Sequence, residues 1–240
     1  MHIGLIGASG RLGSLVKTIF IEQNIDVIEI TRESLIEPAN FKSVLLKMNN
    51  DMVILDLSLP SGTLSLLNIL KNLDNFTLER IRGVVIGTTG HDANNNSLIH
   101  QLSHKLPICV VSNFSKGVYL FEEILNAKTT HGHTVFELAR NLGFDLALSE
   151  THHTKKIDAP SGTAMTLAEA GAIPKAKISS LRVGKIVGEH TIVMSKESET
   201  FELKHIAHHR KLFAEGAVDL CKNIFSQRPK PGLLEKGKFF

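Results

Sequence analysis

Residues 150–164 read E-T-H-H-T-K-K-I-D-A-P-S-G-T-A and gather groups able to move protons and to hold an anion. His152 and His153 are adjacent, and histidine is the side chain best suited to proton transfer near neutral pH. In an extended segment the two rings point to opposite faces, so one can face a cleft while the other supports it. Lys156 follows four residues after His152 and comes within reach if the segment turns, to hold a carboxylate or donate a proton. Asp158, Ala159 and Pro160 then read as a turn ending in an N-cap at Ser161, with Gly162 and Thr163 in the first helical turn. Backbone N–H groups at that helix start, with two hydroxyls, make a carboxylate site. Taken singly, a histidine pair is a common surface feature and the rest a capped helix entry. Together they point to acid catalysis on an anionic substrate.

The elements that must position these groups begin at residue 2. Residues 2–6 are a short apolar run of the kind found in buried parallel strands. Gly7, Ala8, Ser9, Gly10, Arg11, Leu12 and Gly13 follow, then Leu15, Val16, Ile19 and Phe20 at helical spacing, then an alternating strand over 26–31. Strand, glycine-rich turn, helix and strand form one βαβ unit of a Rossmann-like dinucleotide-binding domain, with the pyrophosphate expected on the helix N-terminus. The second strand runs out at Thr31 and Arg32. Arginine there suits a ribose 2′-phosphate, where an acidic residue would bond a 2′-hydroxyl, so NADPH is favoured over NADH.

Further parallel strands are expected over 52–57, 82–86 and 106–111. Helices are expected over 34–50 (Val44, Leu45 and Met48 buried) and from Pro60 (Leu64, Leu67 and Leu70 buried). The strand ends Gly87-Thr88-Thr89-Gly90 and Ser112-Asn113-Phe114-Ser115 fall on the edge where such sheets bind ligands. After Ser115 the texture changes. Helices are expected over 116–127 and 132–141, a strand over 144–149, a helix over 162–172, and turn-linked antiparallel strands over 181–187, 190–195 and 200–206. The fold class is therefore α/β: a dinucleotide-binding domain over 1–114, and a second α+β domain with a mixed sheet over 115–212. A helix over 213–226 returns the chain, through 240, to the first domain.

Composition sets limits. The 240 residues carry a formal charge of +3, 42% hydrophobic and 21% charged residues. That charge is too small for a nucleic-acid partner, and no run approaches the roughly 18 apolar residues of a membrane helix. A cytoplasmic protein with no membrane partner is expected, its Cys109 and Cys221 buried free thiols. His205, His208 and His209 stand at helical ligand spacing, but residues 201–206 read as strand and no Cys or carboxylate completes a set, so no metal is expected.

The 150–164 stretch closely resembles the signature of 4-hydroxy-tetrahydrodipicolinate reductases, E-[AL]-H-H-x-x-K-x-D-A-P-S-G-T-A. The resemblance extends to G-A-S-G-R-L-G at 7–13, V-I-G-T-T-G at 85–90, S-N-F-S-K-G-V at 112–118, I-V-G-E-H-T at 186–191 and R-K-L-F-A-E-G-A at 210–217. It implies reduction of a small cyclic dicarboxylate in diaminopimelate and lysine biosynthesis. The substrate loses water, and NADPH or NADH delivers a hydride. It implies His152 as proton donor and acceptor and Lys156 as proton donor. His153, Gly162 and Thr163 would bind substrate, with Ser161 alongside. Gly7 to Leu12, Gly87 to Thr89, and Val111, Ser112, Asn113 and Phe114 would contact the cofactor. It also implies a homotetramer joined through the second sheet. Two departures stand out: Thr31 where an acidic residue often reads the NAD ribose, and only about twenty residues between Thr163 and Arg182, short for the family. Two rival readings are a dinucleotide sensor without chemistry and a related oxidoreductase such as an aspartate dehydrogenase.

Overall fold

The computed structural model describes residues 1–46 and 51–240. These form two compact units, Met1–Phe114 with Phe213–Phe240, and Ser115–Leu212.

In the first unit β1 (His2–Ile6) leads into α1 (Arg11–Glu22) and β2 (Asp26–Ile30). Then come α2 (Pro38–Leu46), β3 (Met52–Asp56), α3 (Pro60–Lys71), the single turn α4 (Asn75–Leu78), β4 (Ile81–Ile86), α5 (Ala93–Ser103) and β5 (Pro107–Val110). Every strand is parallel to its neighbours, and with the two-residue β10 (Gly232–Leu233) the order is β10-β5-β4-β3-β1-β2. Parallel strands are covered on both faces, so they read as continuous apolar runs; all five residues of β3 are buried. One face packs Ile54, Val84 and Ile108 against Leu66, Leu67 and Leu70 of α3 and Leu98 of α5. The other packs Leu5, Val53 and Val85 against Val16 and Phe20 of α1 and Leu220 and Ile224 of α9 (Lys211–Gln227). Cys109 and Cys221 are free and buried in that second layer. Leu45 is buried and Val44 packs against the core; Met48 lies outside the described residues. α3 buries a wider face than its expected stripe: Leu66 and Ile69 are inside, and Leu64 is only partly so.

The turn after β1 is built for close approach. Gly7 has φ +81°, the left-handed region, and a Cβ there would sit 2.4 Å from the Leu57 carbonyl oxygen. Both conditions demand glycine. The chain end of β3 is fixed by buried Asp56, which accepts from the Ser58 N–H at 3.0 Å and the Thr63 hydroxyl at 2.5 Å.

The second unit opens with α6 (Lys116–Asn126) and α7 (Val135–Asn141). β6 (Asp145–His152), α8 (Gly162–Ala170), β7 (Ile178–Arg182), β8 (Gly188–Lys196) and β9 (Glu199–Ala207) follow. The sheet order is β7-β6-β8-β9. Three expectations change. β6 runs on to His152 instead of stopping at residue 149. α7 starts at Val135, where Thr134 and Glu137 form a reciprocal capping box. The first of the three later strands is Ile178–Arg182, and it pairs parallel to β6 because α8 carries the chain back over the sheet. β8 and β9 are antiparallel as expected, so the sheet is mixed.

Along β6 the residues Leu146, Leu148, Glu150 and His152 are buried and their neighbours are not. This is the two-residue period of a strand covered on one face. Leu146 and Leu148 meet Phe121, Phe136 and Leu167 from the three helices. The inward row thus changes from apolar to ionisable as it reaches the end of the strand.

Candidate active site

In the second unit, strand register assembles a polar cluster from residues far apart in sequence. Glu150 lies opposite His190 of β8, and His152 is level with Arg182 of β7. Glu150 is 1% exposed, His190 4% and His152 7%. A carboxylate so buried requires partners. Arg182 Nη2 donates to Glu150 Oε1 at 2.8 Å, and Glu150 Oε2 lies against His152 Nδ1. Burial alone would raise the Glu150 pKa, but hydrogen bonds from Arg182 and Ser180 and the neighbouring His152 bring it below its usual value. Burial lowers the His152 pKa, Glu150 partly offsets this, and the charges of Lys156 and Arg182 lower it further. His190, edge-on to His152 at 5.2 Å between centroids, is held down to about 4 by burial and by His152. At neutral pH Glu150 is therefore ionised, and both buried rings are predominantly neutral.

The start of α8 is joined to this cluster through Ser161. Its hydroxyl oxygen accepts from the Ala164 N–H at 3.2 Å, capping α8, and lies 3.2 Å from His190 Nε2. Gly162 and Thr163 are the first two helical residues, Gly162 exposed and Thr163 half-buried, and first-turn N–H groups point out of a helix end. Lys156, half-buried, pairs with Asp158 at 2.9 Å, and Arg182 Nη2 also donates to the Asp158 carbonyl oxygen at 2.5 Å. His153 points away from His152, and its Nε2 is 2.8 Å from Arg210 Nη2. Since a guanidinium only donates, that nitrogen is an acceptor and the His153 proton resides on Nδ1.

In the first unit, a cleft of about 410 Å³ lies at the carboxyl ends of β1, β2 and β3. Gly7, Ala8, Ser9 and Gly10 form one wall, Thr31 and Arg32 another, and Ser58, Ser61 and Gly62 a third. Gly10 is the N-cap of α1 and, lacking a side chain, leaves the first-turn N–H groups uncapped. A glycine turn that a Cβ would clash with, an uncapped helix start and an arginine at the end of β2 fit a nicotinamide dinucleotide. Arg11 is exposed, and Leu12 packs on the core. Gly87, Thr88 and Thr89 follow β4, with Thr88 buried; Val111, Ser112, Asn113 and Phe114 follow β5. Val111 and Phe114 have their side chains in the core, so they offer a ligand only backbone.

Sequence reading singled out His152, His153, Lys156 and Ser161 but gave no role to Glu150, Arg182 or His190. His190 stood inside the I-V-G-E-H-T block, which was a signal; Arg182 carried none. Among the described residues the one grouping close enough for a metal ion is Glu150, His152 and His190, not His205, His208 and His209.

The first unit has the strand, glycine turn and helix of a dinucleotide-binding domain, and the second gathers ionisable groups beside a helix start, features that fit a nicotinamide-dependent oxidoreductase. Family models described as dihydrodipicolinate reductase N-terminus and C-terminus match residues 1–114 and 115–236. The 4-hydroxy-tetrahydrodipicolinate reductase of Nitratiruptor sp. is 32% identical over 95% of both chains. That of Campylobacter fetus is 32% identical over 96% of both. A dipicolinate-bound dihydrodipicolinate reductase from Paenisporosarcina sp. TG-14 shares the fold, with a TM-score of 0.69 at 20% identity over 98% of this chain and 97% of that one. The chain belongs to the dihydrodipicolinate reductase family.

Proposed function

We propose that this chain reduces 4-hydroxy-tetrahydrodipicolinate to tetrahydrodipicolinate, using NADPH in preference to NADH. The reductase activity follows from the family, which matches both halves of the chain. The observation that carries the site assignment is the buried Glu150–His152 pair beside the capped start of α8. The bound nicotinamide supplies the hydride. The chain must deliver a proton to the departing hydroxyl and another where hydride addition leaves negative charge. Lys156, as an ammonium, is the donor. His152, neutral with its Nδ1 against Glu150, offers Nε2 to accept and return a proton. Gly162 and Thr163 at the α8 start, with Ser161 and His153 beside them, hold the substrate carboxylates. Around the cofactor, Gly7 to Leu12 receive the pyrophosphate and Arg32 the 2′-phosphate. Gly87 to Thr89 and the backbone of Val111 to Phe114 line the nicotinamide end. No helix among the described residues is long and apolar enough to cross a membrane. A homotetramer joined through the second sheet accords with half-exposed Phe201 and Leu181 on that sheet.

The test is kinetic. His152→Gln and Lys156→Ala should each lower kcat about 10²-fold or more, the scale of lost acid–base catalysis, with nucleotide affinity unchanged. Wild-type kcat in both variants would remove the proposed roles.

A further inference from the structure

The mechanism uses His152 and Lys156, yet the most deeply buried ionisable groups of the unit, Glu150 and His190, touch neither substrate nor cofactor in that account. Burying a carboxylate without need is unfavourable. Arg182 makes three contacts: to Glu150 Oε1 at 2.8 Å, to the Asp158 carbonyl at 2.5 Å, and to its neighbour's carbonyl, Leu181, at 2.7 Å. It therefore ties the strand carrying His152 to the turn carrying Lys156. One potential ligand atom from each of Glu150, His152 and His190 lies within 4.8 Å of the other two, close enough to surround a cation. The guanidinium beside Glu150 already supplies that positive charge.

We propose that Glu150 and Arg182 are positioning residues for the reaction. Arg182 holds one carboxylate oxygen, the other oxygen keeps the His152 proton on Nδ1, and Nε2 is left as the acceptor. The same guanidinium sets the Lys156 turn. This rests on the proton-transfer role given to His152 above. A carboxylate that orients a histidine acts through the tautomer as much as through charge. Glu150→Gln separates the two. Its carbonyl would stay with Arg182, a donor, so its NH₂ would face His152 Nδ1. The ring would then have to accept at Nδ1 and carry its proton on Nε2, the wrong tautomer.

The test reads ring nitrogens by NMR in ¹⁵N-histidine-labelled enzyme, with His152 signals identified by their absence in His152→Asn. The wild type should show neutral His152 as the Nδ1–H form, and Glu150→Gln should convert it to Nε2–H. In Glu150→Gln the His152 titration midpoint should also fall, since its one anionic neighbour is gone. The other groups facing it, Lys156 from the turn, Arg182 from β7 and neutral His190 from β8 with His205 of β9 behind, are cationic or neutral. Turnover should drop about 10²-fold or more in Glu150→Gln with KM for the dicarboxylate within about threefold. Arg182→Lys, which keeps the charge, should retain the tautomer and most of kcat, whereas Arg182→Met should lose turnover. An unchanged tautomer in Glu150→Gln, or Arg182→Lys no better than Arg182→Met, would overturn the inference. If His152→Asn turns over normally, the catalytic reading of His152 fails, while the ring spectrum still decides whether Glu150 sets the tautomer.

Discussion

Replacing Gly7 by alanine asks whether the turn after β1 tolerates any side chain. Two terms follow from the geometry. A left-handed backbone, here φ +81°, costs an L-residue about 1–2 kcal/mol. A Cβ 2.4 Å from the Leu57 carbonyl oxygen forces backbone against backbone, and such overpacking costs about 1–3 kcal/mol more. Gly90, in the same unit, has φ +80° but meets nothing nearer than Pro60 Cγ at 4.0 Å, so Gly90→Ala carries the first term alone. Gly7→Ala should thus destabilise by about 2–5 kcal/mol and Gly90→Ala by about 1–2 kcal/mol. Urea unfolding of both variants beside the wild type measures the difference, and calorimetric titration with NADPH should show weakened binding in Gly7→Ala. Equal stability losses in the two variants, with nucleotide affinity intact in Gly7→Ala, would refute the close-approach reasoning.

Two further outcomes are expected. Arg32→Ala should raise KM for NADPH about tenfold or more, the value of a lost charge-assisted hydrogen bond, and leave KM for NADH unchanged; equal shifts would rule out a 2′-phosphate contact. His190, whose pKa falls from 6.5 to about 4 on folding, binds its proton more readily in the unfolded chain. Its linkage to stability is therefore nil above the unfolded value and becomes destabilising as pH falls between the two values. At pH 5 this amounts to about 2 kcal/mol. Urea unfolding at pH 7 and pH 5 should show that loss in the wild type and a smaller one in His190→Gln, and identical pH slopes would contradict the burial argument.

The sequence disclosed the first unit more fully than the second, for a physical reason. Strands buried on both faces appear as apolar runs such as residues 52–56, and each is followed by its own helix, so local pattern and topology coincide. The Gly7–Gly13 turn is likewise local. In the second unit the strands have one covered face, and their partners are set by register between distant segments. β7 pairs parallel with β6 only because α8 intervenes, which the local pattern of residues 181–187 does not reveal. The T-x-x-E box at Thr134 and Glu137 was a readable helix start that the broader 132–141 window blurred. The same asymmetry holds for the site. His152, Lys156 and Ser161 lie within one contiguous stretch. Arg182 and His190 stand 32 and 40 residues beyond Glu150, and they reach it only through the pairing of β6 with β7 and β8. Glu150, between Ser149 and Thr151, gave no hint of its partner.

The central claim is that this chain transfers hydride to a cyclic dicarboxylate. It is tested most directly by mixing the purified protein with NADPH and substrate formed freshly from pyruvate and aspartate semialdehyde, and following nucleotide absorbance. NADPH should be consumed in step with product, faster than NADH at equal concentration, and the rate should collapse in Lys156→Ala. No oxidation of either nucleotide by a folded wild-type protein would contradict the account.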